Sequence, residues 1–247
     1  MRVLVTGASG FVGGAVATAL AERGDEVLAV GRRAAGWTHP SPRARYVPWT
    51  LPGPPPEPLD GVLDGVDAVV HAAAIADDAV PLADAMAANR DGTAAVRAAL
   101  PRARFVHVSS SSVTERGAPT VHEREDAPIP PRHSSPYAAS KAAAEALLLG
   151  TGALILRPHA VYGPGDRTLL PRIEAAVRGG VLRLPGGGRA RHTLTHIDAL
   201  VRALLGVVPA HASTLGRAGA PGKDIRPAIL PLPLTRVAGS RGYEGPE

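Results

Sequence analysis

Short blocks of consecutive apolar residues alternate with longer Ala-rich segments along the N-terminal part of the chain. Val3-Leu4-Val5, Asp25 to Val30, Asp67 to His71, Arg104 to Val108 and Ala153 to Leu156 each carry such a block. These blocks predict strands of a parallel sheet, whose two covered faces leave no polar side to alternate with. Arg45 to Val47 predicts a shorter strand. Between the blocks, Phe11 to Arg23, Pro81 to Leu100 and Tyr137 to Leu149 place apolar residues at helical spacing. The last of these has a start signal, with Ser135 placed to cap it and Pro136 at its first position. Strands alternating with helices predict a doubly wound α/β sheet with ligands at the strands' C-terminal ends. Residues 34 to 60 are too rich in proline for a long helix. Residues 209 to 247 are rich in Pro and Gly without clear periodicity, so the chain from about Ala210 is expected to be poorly packed or a mobile lid.

The turn between the first strand and the first helix carries Thr6-Gly7-Ala8-Ser9-Gly10-Phe11-Val12-Gly13. Gly7 suits a tight turn off the strand, Gly10 lets backbone amides approach a pyrophosphate, and Gly13 lets the helix pack close to the sheet. Strand, glycines and helix in that order predict a Rossmann-type dinucleotide site. The second strand ends in Gly31-Arg32-Arg33, where an NAD-binding chain usually offers an acid to the ribose hydroxyl. Two guanidiniums suit a 2′-phosphate better, which favours NADP, with NAD as the alternative. Ala72 and Ala73, at the end of the fourth strand, are small enough to let a cofactor lie close. Residues 1–165 are expected to form the dinucleotide-binding domain, and 166–247 a small, shortened C-terminal substrate lobe with its tail.

Composition removes several other classes. With 247 residues the chain can bury a substantial core, and at 3% aromatics that core must be mostly Ala, Val and Leu. No cysteine is present, so neither disulfides nor thiolate metal sites are expected. The histidines and carboxylates lack zinc-ligand spacing, and no metal is expected. The net charge of +5 comes from scattered arginines, with Lys141 and Lys223 the only lysines, which argues against nucleic acid as a partner. The chain opens on its first strand and has no run long enough for a bilayer, so a cytoplasmic location without membrane partners is expected.

The candidate chemistry lies after the fifth strand. Ser109-Ser110-Ser111-Ser112 closes that strand, and Tyr137-Ala138-Ala139-Ser140-Lys141 sets a phenol and an ammonium on one helical face. A tyrosine near its ordinary pKa of about 10 is a poor base at neutral pH. A neighbouring lysine and a positively charged nicotinamide are expected to lower it. A serine hydroxyl at the strand end could share a substrate carbonyl oxygen with Tyr137. These residues, with His71 to Ala74, Asn89 to Thr93 and Leu156-Arg157-Pro158-His159-Ala160-Val161-Tyr162-Gly163-Pro164-Gly165, resemble the extended short-chain dehydrogenase/reductases, the NAD-dependent epimerase/dehydratase group. The resemblance covers residues 1 to about 205.

The resemblance implies roles by position. Ser110 would be the catalytic hydroxyl, with Ser111 the alternative if the register slips by one. Tyr137 would be the acid/base, and Lys141 would hold the nicotinamide ribose and tune Tyr137. Phe11, Val12, Ala72, Ala73, Asn89 and Pro158 would join Gly7, Gly10, Gly13, Arg32, Arg33, Tyr137 and Lys141 around the cofactor. Ser111, His159 and Arg191 would face the substrate, although His192 stands where the family carries an acid. Related dehydratases place an Asp-Glu pair at the positions of Ser111 and Ser112, which argues against dehydration here. A homodimer through the helices carrying Asn89 and Tyr137 is also implied. The first reading is an NAD(P)-dependent oxidoreductase interconverting a ketone and a secondary alcohol, on a small or nucleotide-linked sugar substrate. The alternatives are a nucleotide-sugar epimerase using the same residues with retained NAD, and a dinucleotide-binding protein without catalysis.

Overall fold

The computed structural model describes residues 1–118, 123–184 and 192–208. Six parallel strands form the central sheet: β1 (Arg2–Thr6), β2 (Glu26–Gly31), β3 (Ala44–Pro48), β4 (Ala68–His71), β5 (Arg104–Val108) and β6 (Leu154–Leu156). Their order is β3-β2-β1-β4-β5-β6. The chain winds outward from β1 in one direction and from β4 in the other, so a crevice opens above the β1/β4 pair. The inner strands are largely apolar on both faces because each face is covered, whereas the edge strand β3 buries only Val47. Val3 and Val5 pack with α1 (Phe11–Glu22), whereas Leu4 joins the opposite cluster with Leu148 and Ile155.

The expected helix from Pro81 to Leu100 is interrupted. It runs as α2 (Leu82–Ala85), a π-helical turn at Met86–Asp91 and α3 (Gly92–Ala99). Side-chain bonding at Asn89 and Thr93, described below, competes with the regular ladder there. The capped helix is α4 (Pro136–Leu148). Two strands that the apolar blocks do not signal, β7 (Ala160–Tyr162) and a later partner, are too short for a period to show. Beyond β7 come α5 (Leu169–Ala176) and a two-residue-strand hairpin, β8 (Val177–Arg178) and β9 (Val181–Leu182), turning at Gly179 and Gly180. Then β10 (Leu194–His196) pairs in parallel with β7, and α6 (Ile197–Val207) packs against α1. Among the described residues no helix is long and apolar enough to cross a membrane. The expectations for Arg191 and for the stretch from Ala210 fall outside the described residues.

Candidate active site

The crevice floor is made of backbone. Gly7 takes φ +70°, and a Cβ there would stand 2.8 Å from the Ala73 nitrogen. A Cβ on Gly13 would overlap the Gly7 carbonyl. The β1–α1 turn therefore lies directly against Ala72 and Ala73, with Thr6 Oγ1 accepting both of their amides at 3.1 and 3.0 Å. Helix α1 starts after Gly10 with no side-chain cap and no acidic residue in its first turn. Its first amides, from Phe11 to Gly13, have no intrahelical acceptor and face a positive dipole end, an arrangement that suits a pyrophosphate. The glycine cradle and this helix end fit a dinucleotide.

At the end of β2, Arg32 and Arg33 are both exposed. Tyr46 Oη donates to the Arg33 carbonyl at 2.9 Å, and Trp37 Nε1 donates to Thr18 Oγ1 at 3.1 Å, so the loop is anchored to β3 and α1. No carboxylate occurs between Arg32 and Trp37.

Ser110 opens a 3₁₀ turn at Ser111–Thr114 and is held by Ser112, which donates to its Oγ from the amide at 3.2 Å and from the hydroxyl at 2.9 Å. With those lone pairs engaged, the Ser110 proton is free to turn toward Tyr137, whose pKa the Ser110 hydroxyl pulls down. The backbone of Ser111 is bonded on both sides, its amide donating to the Pro158 carbonyl at 3.0 Å and its carbonyl accepting from Thr114 Oγ1 at 3.1 Å. Of the two serines weighed from the sequence, Ser110 is the one brought to Tyr137. Ser135 Oγ accepts the Ala138 amide at 3.2 Å, and this cap fixes the first turn of α4, where Tyr137 sits.

Without cofactor, Tyr137 and Lys141 are shifted in opposite directions. Burial raises the phenol's pKa, with Asp78 adding to the rise and the Ser110 hydroxyl opposing it. Lys141 is 1% exposed, and its Nζ donates to the Val108 carbonyl at 2.6 Å. Burial lowers its pKa from an ordinary 10.5 to about 8, against the opposing charge of Glu145. The ammonium is thus anchored under the sheet end. Tyr137 is protonated at neutral pH.

Asn89 is buried in the π-helical turn and fully engaged. Its Oδ1 accepts the Ile75 amide at 2.8 Å, and its Nδ2 donates to the Ile75 carbonyl at 3.1 Å and to Ser140 Oγ at 2.8 Å. Ser140 in turn donates to the Tyr137 carbonyl at 2.8 Å. Pro158 is buried next to Arg157, which forms a bidentate pair with Glu145 and ties α4 to β6. His159 is exposed, its amide bonded to Thr195 Oγ1 at 3.2 Å and its ring within electrostatic reach of Glu115. Sequence reasoning missed Ser112 and Ser140. An i, i+2 serine pair is a known local turn signal, but a run of four serines hides which member turns back.

The chain matches the model of the NAD dependent epimerase/dehydratase family over residues 3–217. It is 35% identical over 210 residues to a 2-alkyl-3-oxoalkanoate reductase of Stenotrophomonas maltophilia, an alignment covering 80% of this chain and 62% of that protein. It is 33% identical over 214 residues to the 4-hydroxy-2-methyl-3-oxo-4-farnesyl-3,4-dihydroquinoline-1-oxide ketoreductase of Stigmatella aurantiaca, covering 83% of this chain and 64% of that one. Among solved structures, MoeE5 in complex with UDP-glucose and NAD superposes with a TM-score of 0.65 at 32% identity, covering 83% of this chain and 71% of that one. The chain spans less than two thirds of the length of either reductase. The switch-point crevice, its glycine cradle and a family match over most of the sequence agree, and the chain belongs to the NAD dependent epimerase/dehydratase family.

Proposed function

We propose that this chain carries the cofactor and catalytic residues of an NADP-dependent reductase that converts a ketone to a secondary alcohol. The observation that carries this reading is the approach of the Ser110 hydroxyl, held by Ser112 at the end of β5, to the Tyr137 phenol, with Lys141 one helical turn further along α4. When bound, the nicotinamide supplies a hydride to the carbonyl carbon. Ser110 orients the carbonyl oxygen, and Tyr137 gives its hydroxyl proton to that oxygen as negative charge develops. Its raised pKa suits an acid, which is the role reduction requires. Lys141 then faces the phenolate across one turn of helix. Residues 1–165 would hold the cofactor and the remainder the substrate. A homodimer through the interrupted helix carrying Asn89 and through α4, which carries Tyr137, is supported by Leu147, which is 45% exposed on α4.

Arg32 and Arg33, with no acid beside them, support NADP over NAD. Titration of NADPH and NADH by fluorescence tests this. Tighter NADPH binding is expected, and Arg32→Ala should weaken it by about 1.5–3 kcal/mol while leaving NADH nearly unchanged. Equal affinity for the two would remove the argument. Tyr137→Phe should retain cofactor binding and lower turnover by about 10²–10⁴-fold on whichever ketone of a panel the wild type reduces. Near wild-type turnover by that variant would rule the mechanism out. The similarity to MoeE5, solved with UDP-glucose and NAD, favours a second reading as a nucleotide-sugar epimerase. Native mass spectrometry separates the two readings, since an epimerase retains NAD whereas the reductase exchanges its cofactor.

A further inference from the structure

A line of hydrogen bonds runs behind the site from β1 to α4, and its donors and acceptors can be assigned one by one. The Asn89 carbonyl can only accept, so the Thr93 hydroxyl, 2.6 Å away, gives its proton there. Thr93 Oγ1 must then receive from its other neighbour, His71 Nε2, at 3.0 Å. His71 is fully buried, and burial together with the Lys141 ammonium lowers its pKa to about 3. A neutral ring with hydrogen on Nε2 has a bare Nδ1. That nitrogen accepts from Thr6 Oγ1 at 2.8 Å, whose own lone pairs are taken by the Ala72 and Ala73 amides. At the far end, Asn89 passes the line through Ser140 to the Tyr137 carbonyl. The opposite tautomer would set the Nε2 lone pair against a Thr93 oxygen with no hydrogen left to give.

We infer that His71 is a positioning residue, a neutral imidazole protonated on Nε2 that joins the Ala72–Ala73 edge of the crevice to the Asn89 turn behind Tyr137. The inference deepens the reductase reading and rests on it for its kinetic consequences. Rings hold His71 from the side, with His107 stacked at 5.4 Å and Phe105 tilted at 5.7 Å between centroids. The two hydrogen bonds fix the rotation that the rings leave free. On the Nδ1 side, Thr6 fixes Ala73, whose nitrogen limits the space beside Gly7. On the Nε2 side, Thr93 fixes the carbonyl of Asn89, and with it the turn that supports Ser140.

Two experiments test this. In two-bond ¹H–¹⁵N spectra of histidine-labelled protein, His71 should show a protonated Nε2 and a bare Nδ1, unchanged between about pH 5 and 8. The resonance is identified by its contacts to the Thr6 and Thr93 methyls. An Nδ1–H signature, or a ring that titrates in this range, overturns the inference. This measurement needs neither cofactor nor substrate, so it stands apart from failure of the wild type to bind NADPH. The second experiment splits the line. His71→Asn keeps an acceptor near Nδ1 and removes the Thr93 donor. It should hold NADPH affinity within about twofold and lower turnover by about tenfold, the scale of one hydrogen bond. His71→Gln keeps a donor near Nε2 and should show the reverse. Losses shared alike between affinity and turnover in both variants overturn the inference, and if either variant fails to fold, the wild-type spectrum decides.

Discussion

Replacing Lys141 by Met should stabilise the protein at neutral pH, and the structure gives the magnitude. The side chain is 1% exposed, and its pKa of about 8 lies about 2.5 units below the ordinary 10.5. At about 1.4 kcal/mol per unit, the folded state disfavours the ammonium by about 3 kcal/mol. The sign follows from linkage. Below pH 8 both folded and unfolded chains carry the charge, and the folded state bears the full penalty. Between pH 8 and 10.5 the unfolded chain keeps a proton that the folded chain has released, so wild-type stability rises with pH across that window. Met is close in volume and adapts to irregular space, so packing should change little. The Val108 carbonyl loses its 2.6 Å donor, which returns about 1 kcal/mol. The net expectation is a variant about 2 kcal/mol more stable at pH 7, with the advantage lost by about pH 10. Urea titrations of both proteins at the two pH values measure it, since the histidines that Lys141 perturbs, His71 and His107, are neutral at both. A less stable variant at pH 7, or a difference independent of pH, would refute the reasoning. The same variant should lose turnover.

Two further outcomes follow from the buried polar groups. Both His107 ring nitrogens are buried without a partner among the described residues, and burial, then Lys141 and His71, hold its pKa well below 6.5. His107→Leu should therefore stabilise the protein by about 1–3 kcal/mol at pH 7. Because unfolded histidine gains a proton below pH 6.5 and folded His107 does not, stability falls as pH drops, and the variant should fall less steeply. An unchanged slope in pH-dependent denaturation would contradict this. Glu145 and Arg157 form a pair only 2% and 11% exposed, joined at 2.6 and 2.9 Å. Glu145→Leu should cost about 3–5 kcal/mol, and adding Arg157→Met should recover most of that. Chemical denaturation of the single and double variants checks it, and a single-variant loss under about 1 kcal/mol would show the pair to be screened.

The strands of the main sheet were legible because burial on both faces forces continuous apolar blocks, as Val69 and Val70 or Val106 and Val108 show. The turn at Gly7–Gly13 was legible for the same reason: its backbone contacts exclude a Cβ, so the chemistry is written in residue type. The capped start of α4 was equally plain, since Ser135 and Pro136 have local roles. What stayed hidden depends on long-range partners. Nothing local marks the π-helical turn, because the Ile75 and Ser140 contacts that hold Asn89 come from other parts of the chain. The strand β7 takes its pairing from β10, more than thirty residues away, and neither has the length for a period to appear. Tyr137 and Lys141 were placed correctly on one helix, but helical spacing alone does not reveal that the ammonium turns to Val108.

That turn bears on how the proposed chemistry works. Beneath Tyr137 the protein keeps one ammonium beside two rings, His71 and His107, that burial and Lys141 itself hold neutral. With its pKa near 8, Lys141 is mostly charged at pH 7 yet carries a penalty for being so. Tyr137, pushed the other way, is fully protonated before reaction. When its proton leaves, a phenolate appears one helical turn from an ammonium whose neighbouring carboxylate, Glu145, is already bound bidentate by Arg157. The new anion favours the charged lysine, and the charged lysine favours the new anion. The destabilisation built into the resting site is therefore relieved in the direction of proton transfer, which is where an enzyme gains rate rather than mere affinity. The stability gained in Lys141→Met and the turnover lost in it are expected to be two measurements of that single arrangement.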